Sequence, residues 1–386
     1  MARIFLDHNA TTPLKPAVRE AMIAAMDAGN PSSVHTEGRK AKGLLEQSRQ
    51  ELAQLVDAPT NGLVFTGGGT EAINMALWGM VRRAENPVRH LYISATEHDA
   101  VINCAEAIEK SGLATKKLMS PLLSGAYDAD QLLAELQNRE AQKDGAFMVC
   151  LMLANNETGV IQDLAPVRRE IFARGGFLFV DAAQAVGKID VSFNDLQADL
   201  MSIAGHKFGG PKGVGALATK PGIPLEPLMQ GGGQELRRRA GTENMIAIAG
   251  LGAAARAADM QQMADLKLLR DKLETGLNAI GVEGLKIWGA ATERLPNTTC
   301  FSAPGFSSET QVMAMDLAGI AVSSGSACSS GKVKASHVLT AMGASEEDAA
   351  SALRVSLGWD TTEEMIDLFI EKWGEAYARA RRGKAA

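Results

Sequence analysis

The chain has 386 residues, 46% hydrophobic and 22% charged, which is the composition of an ordinary globular protein and enough material for two cores. Its 39 basic and 45 acidic side chains leave a net charge of -6 with no dense basic tract, which argues against nucleic acid and anionic membranes as main partners. The N-terminus MARIFLDHNATTP lacks the apolar core of a signal peptide, and the most apolar run, AFMVCLMLA, is far too short to span a bilayer; a cytoplasmic location is expected.

From about residue 16 to residue 255, strand-like and helix-like segments alternate. Apolar runs at 63–66, 88–94, 147–153, 176–180, 199–203 and 214–218 are bounded by glycine or polar residues, and helix-length stretches such as 39–56 and 128–142 separate most of them. This alternation predicts an α/β fold with a mainly parallel, doubly wound sheet covered by helices on both faces. Beyond residue 255, Leu266, Leu269, Leu273, Leu277 and Ile280 recur at helical spacing, which predicts a long amphipathic connector to a smaller C-terminal α/β domain. The expected organisation is a large domain over 16–255 and a small domain over 256–386 that takes in the N-terminal segment 1–15.

Residues able to do chemistry fall at the predicted strand ends, where sites form in α/β proteins. Gly67, Gly68 and Gly69 precede Thr70 and open a helix; they mark either a tight turn or an anion site made of backbone N–H groups. The lysine and Ser/Thr of a P-loop are missing, and so is the G-x-G-x-x-G fingerprint. Asp181 ends an apolar strand with Gln184 three residues on, His98 stands near a helix start, and Asn156 lies in the loop NNETGV; each alone reads as a cap or loop residue. Lys207 follows another strand beside His206 and a glycine-rich turn, where burial would lower its pKa. A phosphate site, a strand-end lysine and a strand-end aspartate together suit pyridoxal phosphate, with the lysine as Schiff-base partner and the aspartate pairing with the pyridinium nitrogen. Cysteines 104, 150, 300 and 328 have no paired spacing and the six histidines are dispersed, so neither disulfides nor a zinc or iron site are expected.

LDHNATTP, GNPSSVH, TGGGTEAIN, TEHDAV, NNETGVIQ, VDAAQAVGKI, SIAGHKFGGPKGVGAL, RRAGTEN, SSGSACSSG and LRVSLG resemble, in this order, the motif series of the cysteine desulfurases of the class V aminotransferase group. The resemblance, to the nitrogen-fixation and iron–sulfur-cluster members, runs from residue 4 to about residue 370 and implies a fold-type I, pyridoxal 5′-phosphate-dependent transferase. It implies that Lys207 forms the Schiff base, that Asp181 partners the ring nitrogen, and that His98 stacks on the ring and shuttles protons. Gln184 and Asn156 match residues around the cofactor's 3-hydroxyl, Gly69, Thr70 and His206 belong to the phosphate cradle, and Thr242 matches a threonine that reaches the phosphate of the other subunit in a homodimer. Arg354 matches the arginine that binds the substrate carboxylate, with Asn156 and Asn30 also in segments lining the substrate site. Ala204 stands where many members of the group have a phosphate-binding serine; Ser202 lies two residues earlier on the same strand face.

Cys328 lies in the polar stretch SSGSACSSG, whereas Cys104, Cys150 and Cys300 lie in helix-like or strand-like segments and read as interior residues. The resemblance makes Cys328 the nucleophile that takes sulfur from L-cysteine as a persulfide, leaving L-alanine, on a long mobile loop of about 323–335. It further implies an iron–sulfur scaffold or other acceptor protein as partner, no resident metal, and contact between Cys328 and a transferred iron–sulfur cluster. Rival activities on the same scaffold are selenocysteine lyase and small-molecule aminotransferase.

Overall fold

In the computed structural model, which describes residues 3–139, 145–324 and 335–385, the chain opens with a short strand, β1 (Ile4–Phe5). The six apolar runs then form six of the seven strands of the central sheet: β2 (Leu63–Thr66) and β3 (Val88–Ser94), and, after the intervening β4 (Thr115–Met119), β5 (Ala146–Met152), β6 (Phe177–Asp181), β7 (Leu200–Ala204) and β8 (Gly215–Thr219). The strand order is β2-β8-β7-β6-β5-β3-β4. Strands β3 to β7 pair in parallel, while β8 runs antiparallel to both of its neighbours. The short connection from β7 to β8 explains the reversal, because a parallel return needs a crossover of about a dozen residues or more.

Strand β4 escapes the apolar-run pattern because its sequence is TKKLM. It is an edge strand with a mostly exposed face, and edge strands are protected by charge, lysine in particular. The central β5 is buried along its whole length, as expected of a strand covered on both faces. The helix expected over 39–56 spans Thr36–Leu55, and that expected over 128–142 spans Ala129–Gln137.

A second, smaller assembly holds β9 (Lys286–Ile287), β10 (Thr298–Ser302), β11 (Ile320–Ala321) and β12 (Ala352–Ser356). Strand β10 lies between β9 and β12, antiparallel to both, and β11 pairs in parallel with β1. Trp373, Phe369, Phe301, Leu353 and Leu6 are fully buried in its core together with Leu266, Leu273 and Leu277 of the long helix Met260–Ala279. The preceding helix, Met245–Arg256, instead buries Ile248 and Leu251 against the central sheet. We propose that the domain boundary falls between these two helices, with the N-terminal strand joining the small domain through Ile4 and Leu6.

Glu235 braces strand β2 against the helix Thr36–Leu55. Its carboxylate accepts from Arg49 Nη1 at 2.9 Å and Nη2 at 2.8 Å and from the Phe65 backbone N–H at 2.7 Å. Both side chains are buried, and the next turn carries three consecutive non-glycine residues in the left-handed region, Glu235, Leu236 and Arg237. Such backbone costs about 1 kcal/mol or more per residue and persists where surrounding contacts impose it. Glu235→Ala would leave the buried Arg49 guanidinium only the more exposed Glu46, at 3.3 Å, and the Leu63 carbonyl as partners, so a loss of about 2–4 kcal/mol is expected by equilibrium denaturant unfolding; a change below about 1 kcal/mol would contradict the role given to this pair.

Candidate active site

The carboxyl ends of β3, β5, β6 and β7 converge on a cavity of 220 Å³ lined by Gly69, Thr70, His98, Asn156, Asp181, Gln184, Ala204, His206 and Lys207, among others. Each reaches it by local chain logic. Asp181 is the last residue of β6, Lys207 follows β7 in a single turn of helix at Gly205–Lys207, and His98 caps the helix Asp99–Lys110 that follows β3. Gly68 adopts φ 150°, ψ 177°, a conformation left to glycine, and opens the helix Gly69–Arg82 without a side-chain cap. The first N–H groups of that helix are therefore left to meet an anion at the cavity wall. Gly215 of β8 allows this turn to sit close, since a Cβ there would lie 2.8 Å from the Gly68 backbone.

Lys207 is set between carbonyls. Its Nζ donates to the Asn9 oxygen at 2.7 Å and to the Ala10 oxygen at 3.1 Å, and the Thr12 hydroxyl donates to the Lys207 carbonyl at 3.2 Å. Burial, followed by the neighbouring Arg354 guanidinium, pushes its pKa down to about 8. Asp181 is buried and accepts from the Ala183 N–H at 3.0 Å and from the Ser202 hydroxyl at 2.7 Å. His98 accepts the Ala100 N–H on Nδ1 at 3.1 Å, which places the proton of its neutral form on Nε2, and burial lowers its pKa while Asp181 opposes the shift. His206 is pushed down to about 4 by burial and then by Lys207, so it is neutral at physiological pH.

The family described as aminotransferase class-V matches residues 4–369. A cysteine desulfurase IscS of Pectobacterium carotovorum subsp. carotovorum (strain PC1) is 39% identical over 388 residues, covering 98% of this chain and 93% of that protein. A cysteine desulfurase of Cereibacter sphaeroides is 39% identical over 375 residues, covering 96% and 95% of the two chains. The chain belongs to the cysteine desulfurases of the class-V aminotransferase family. Among solved structures, a NifS-like protein from Rickettsia africae superposes with a TM-score of 0.86 at 34% identity, covering 97% of this chain and 99% of that one. SspA, solved in complex with cysteine, superposes with a TM-score of 0.81 at 29% identity, covering 93% of this chain and 100% of that one. The fold is that of the fold-type I enzymes.

The cavity brings together Lys207, Asp181, Gln184, Asn156, Gly69, Thr70, His98 and His206 of the residues expected from the sequence. Arg354 lies behind Asn156: Nη1 donates to the Asn156 carbonyl at 2.9 Å and Nη2 to Asp7 Oδ1 at 2.8 Å, while Nε is buried without a partner. Asn30 and Thr242 do not line the cavity and are exposed in the single chain. Cys328 and residues 325–334 of the stretch expected to carry it lie outside the described residues. Cys104, Cys150 and Cys300 are buried, as expected of interior residues. Ser202 does not stand in for the serine missing at Ala204, because its hydroxyl is committed to Asp181 across the β6–β7 pairing. A larger cleft of 1080 Å³ is lined in part by Arg270 and Arg294, whose charges are already met by Asp271 and Glu274.

Three residues at the site carried no role in the sequence reading. Asn9 supplies the carbonyl that holds Lys207, Lys188 is buried with its amine on the Asn9 and Gln184 side-chain oxygens, and Glu97 is buried with Oε2 unpartnered. Burial, then Asp181, raises the pKa of Glu97 well above its ordinary value. The available signal was position: Lys188 lies four residues after Gln184 in an otherwise apolar stretch, and a charged residue in such a stretch needs a partner.

With its pKa lowered, Lys207 is expected to react with an amine-directed reagent in the cofactor-free protein with a midpoint near pH 8. The free amine predominates above that pH and the ammonium below it, whereas an exposed lysine titrates at about 10.4. Peptide mass spectrometry across a pH series checks this; a midpoint at or above about pH 10 would remove burial from the account of Lys207.

Proposed function

We propose that this desulfurase holds pyridoxal 5′-phosphate in the 220 Å³ cavity and uses it to move the sulfur of L-cysteine onto Cys328. The observation that carries the proposal is the approach of a lysine amine with lowered pKa and a buried carboxylate to one cavity whose wall includes an uncapped helix N-terminus. The residues fit the group. The N–H groups at Gly69 and Thr70, the Thr70 hydroxyl and the neutral His206 ring would take the phosphate, Lys207 the aldehyde carbon, Asp181 the ring nitrogen, the His98 imidazole a ring face, and Gln184 and Asn156 the hydroxyl. When bound, the cofactor supplies an electron sink for the bond pair left at the substrate α-carbon.

The chain's own groups do the rest. Arg354 holds the substrate carboxylate through its guanidinium fork, whose Nη1 and Nη2 exchange their contacts with the Asn156 carbonyl and Asp7 for it. Lys207, once its amine is free, takes the proton from the α-carbon, a task suited to a base with a pKa near 8. His98 moves a proton between the substrate sulfur and the departing product. The Cys328 thiolate attacks the substrate sulfur: the sulfur–sulfur bond forms, the Cβ–sulfur bond breaks, and its electron pair stays on Cβ to be protonated. L-cysteine and an enzyme thiol thus become L-alanine and an enzyme persulfide, with no further oxidant or reductant.

In this reading the protein acts as a homodimer, in which the exposed Thr242 reaches the partner's phosphate and Asn30 lies near the site mouth. The persulfide passes to an acceptor protein such as an iron–sulfur scaffold, where Cys328 also meets a transferred cluster. No described helix is long and apolar enough to cross a membrane; we place the enzyme in the cytoplasm.

Cys328→Ser is expected to keep bound cofactor and bind L-cysteine but to lose enzyme persulfide and alanine formation by about 100-fold or more. Sulfide and alanine release at the parental rate would sink the nucleophile role. Arg354→Lys keeps a charge but not the planar fork, so kcat/KM for L-cysteine should fall by about 10–100-fold, mainly through KM; steady-state kinetics with an unchanged KM would contradict it.

A further inference from the structure

We propose that Lys188 is a positioning residue: its buried amine fixes the Gln184 and Asn9 carboxamides and, through the Asn9 backbone carbonyl, the place of the Lys207 amine. The proposal rests on the desulfurase reading of Lys207 given above. Lys188 Nζ lies 2.8 Å from Asn9 Oδ1 and 2.6 Å from Gln184 Oε1, and the residue is only 4% exposed. Among the described residues no carboxylate forms an ion pair with it, so charge neutralisation does not account for its presence. Burial, with Lys207 and Arg354 nearby, pushes its pKa down, and in either protonation state the amine has N–H donors enough for these two acceptors.

An amine N–H can face only the oxygen end of a carboxamide, so Lys188 sets which way Gln184 points and, together with Asn297 Nδ2 at 3.1 Å from the same Asn9 Oδ1, which way Asn9 points. With Gln184 Oε1 turned to Lys188, Gln184 Nε2 is turned to the Asn9 backbone oxygen, which it meets at 2.9 Å. That same oxygen accepts from Lys207 Nζ at 2.7 Å. With Asn9 Oδ1 turned to Lys188, Asn9 Nδ2 reaches Thr298 Oγ1 at 2.8 Å and the Asn156 carbonyl at 3.3 Å. One buried amine therefore orients a cavity-lining glutamine, braces the loop that carries Asn156, and pins the carbonyl that aims Lys207.

The test uses Lys188→Met, which keeps length and removes the donors, with Lys188→Gln as a second variant that retains a donor if the first does not fold. In the cofactor-loaded protein, kcat for L-cysteine should fall by about tenfold or more in Lys188→Met while KM changes by less than about twofold, because aim is lost and substrate binding is not. Lys188→Gln should recover part of the loss. Combined with Gln184→Met, the losses should fail to multiply, since both substitutions act through the Asn9 carbonyl. A readout without cofactor follows carbamylation of Lys207 by cyanate at pH 7 in the cofactor-free protein. It should be about threefold faster in Lys188→Met, because a loosened carbonyl stabilises the ammonium less and leaves more free amine. Parental kcat, an unchanged carbamylation rate, or losses that multiply would each overturn the proposal. A parental protein that makes no alanine from L-cysteine would sink the desulfurase reading instead, and the carbamylation comparison would still judge Lys188.

Discussion

The site depends on two hydrogen bonds, from the Lys207 amine to the backbone carbonyls of Asn9 and Ala10. Lys207 belongs to the large sheet, but the carbonyls that hold it belong to a segment whose anchors lie in the other assembly. Ile4 and Leu6 are buried in the smaller core, the Asn9 N–H donates to Ser356 Oγ at 2.9 Å, and Asn9 Nδ2 donates to Thr298 Oγ1. Strands β10 and β12 thus set the height of the carbonyls, and β7 sets the height of the amine. A reactive lysine in the right place requires both units to be docked, which explains why the chain's first strand is spent on the small assembly rather than on the central sheet.

Electrostatics around this contact are decided by burial more than by pairing. Lys207, Lys188 and Arg354 crowd one region with Asp181, Asp7 and Glu97, and for Lys207, Lys188 and Glu97 desolvation is the leading cause of the pKa shift. Moving an ion out of water costs several kcal/mol even after relaxation, while neighbouring like charges add smaller penalties. The buried amines and the buried acid move toward neutrality for the same reason. Arg354 pairs with Asp7, 2.8 Å away, so its guanidinium is held behind the cavity without being left alone.

The large sheet was legible because burial on both faces writes a strand as an uninterrupted apolar run. Strand β4 was not, since an edge strand shows its lysines to solvent. The site was legible wherever a residue sits at a strand end with chemistry of its own: Asp181, His98 and Lys207 announce themselves. Residues that work through others gave no such mark. Asn9 acts chiefly through its backbone oxygen, which every residue has, and Lys188 acts through two amides that the sequence places at different distances, one at 4 residues and one at 179. The capping role first weighed for His98 also holds; capping a helix through Nδ1 is how the chain frees Nε2, so the local and the functional explanations are the same fact.

The alanine at 204 fits the same logic of commitments. Ala204 lines the cavity, and a Cβ placed on Gly69 would come within 3.2 Å of the Ala204 methyl, so the helix that offers its N–H groups starts in contact with this small side chain. Ser202, the one hydroxyl on the same strand face, is fully buried and spent on Asp181. With His206 neutral, the anion cradle consists of helix N–H groups, the Thr70 hydroxyl and an uncharged ring rather than a ring of positive charge. A cradle of that kind holds a phosphate by the number and direction of its donors, and it leaves Lys207 free of a competing buried cation on the phosphate side. In the proposed assignment, alanine at 204 leaves one donor fewer for the phosphate, while the hydroxyl two residues earlier fixes Asp181, the proposed partner of the ring nitrogen.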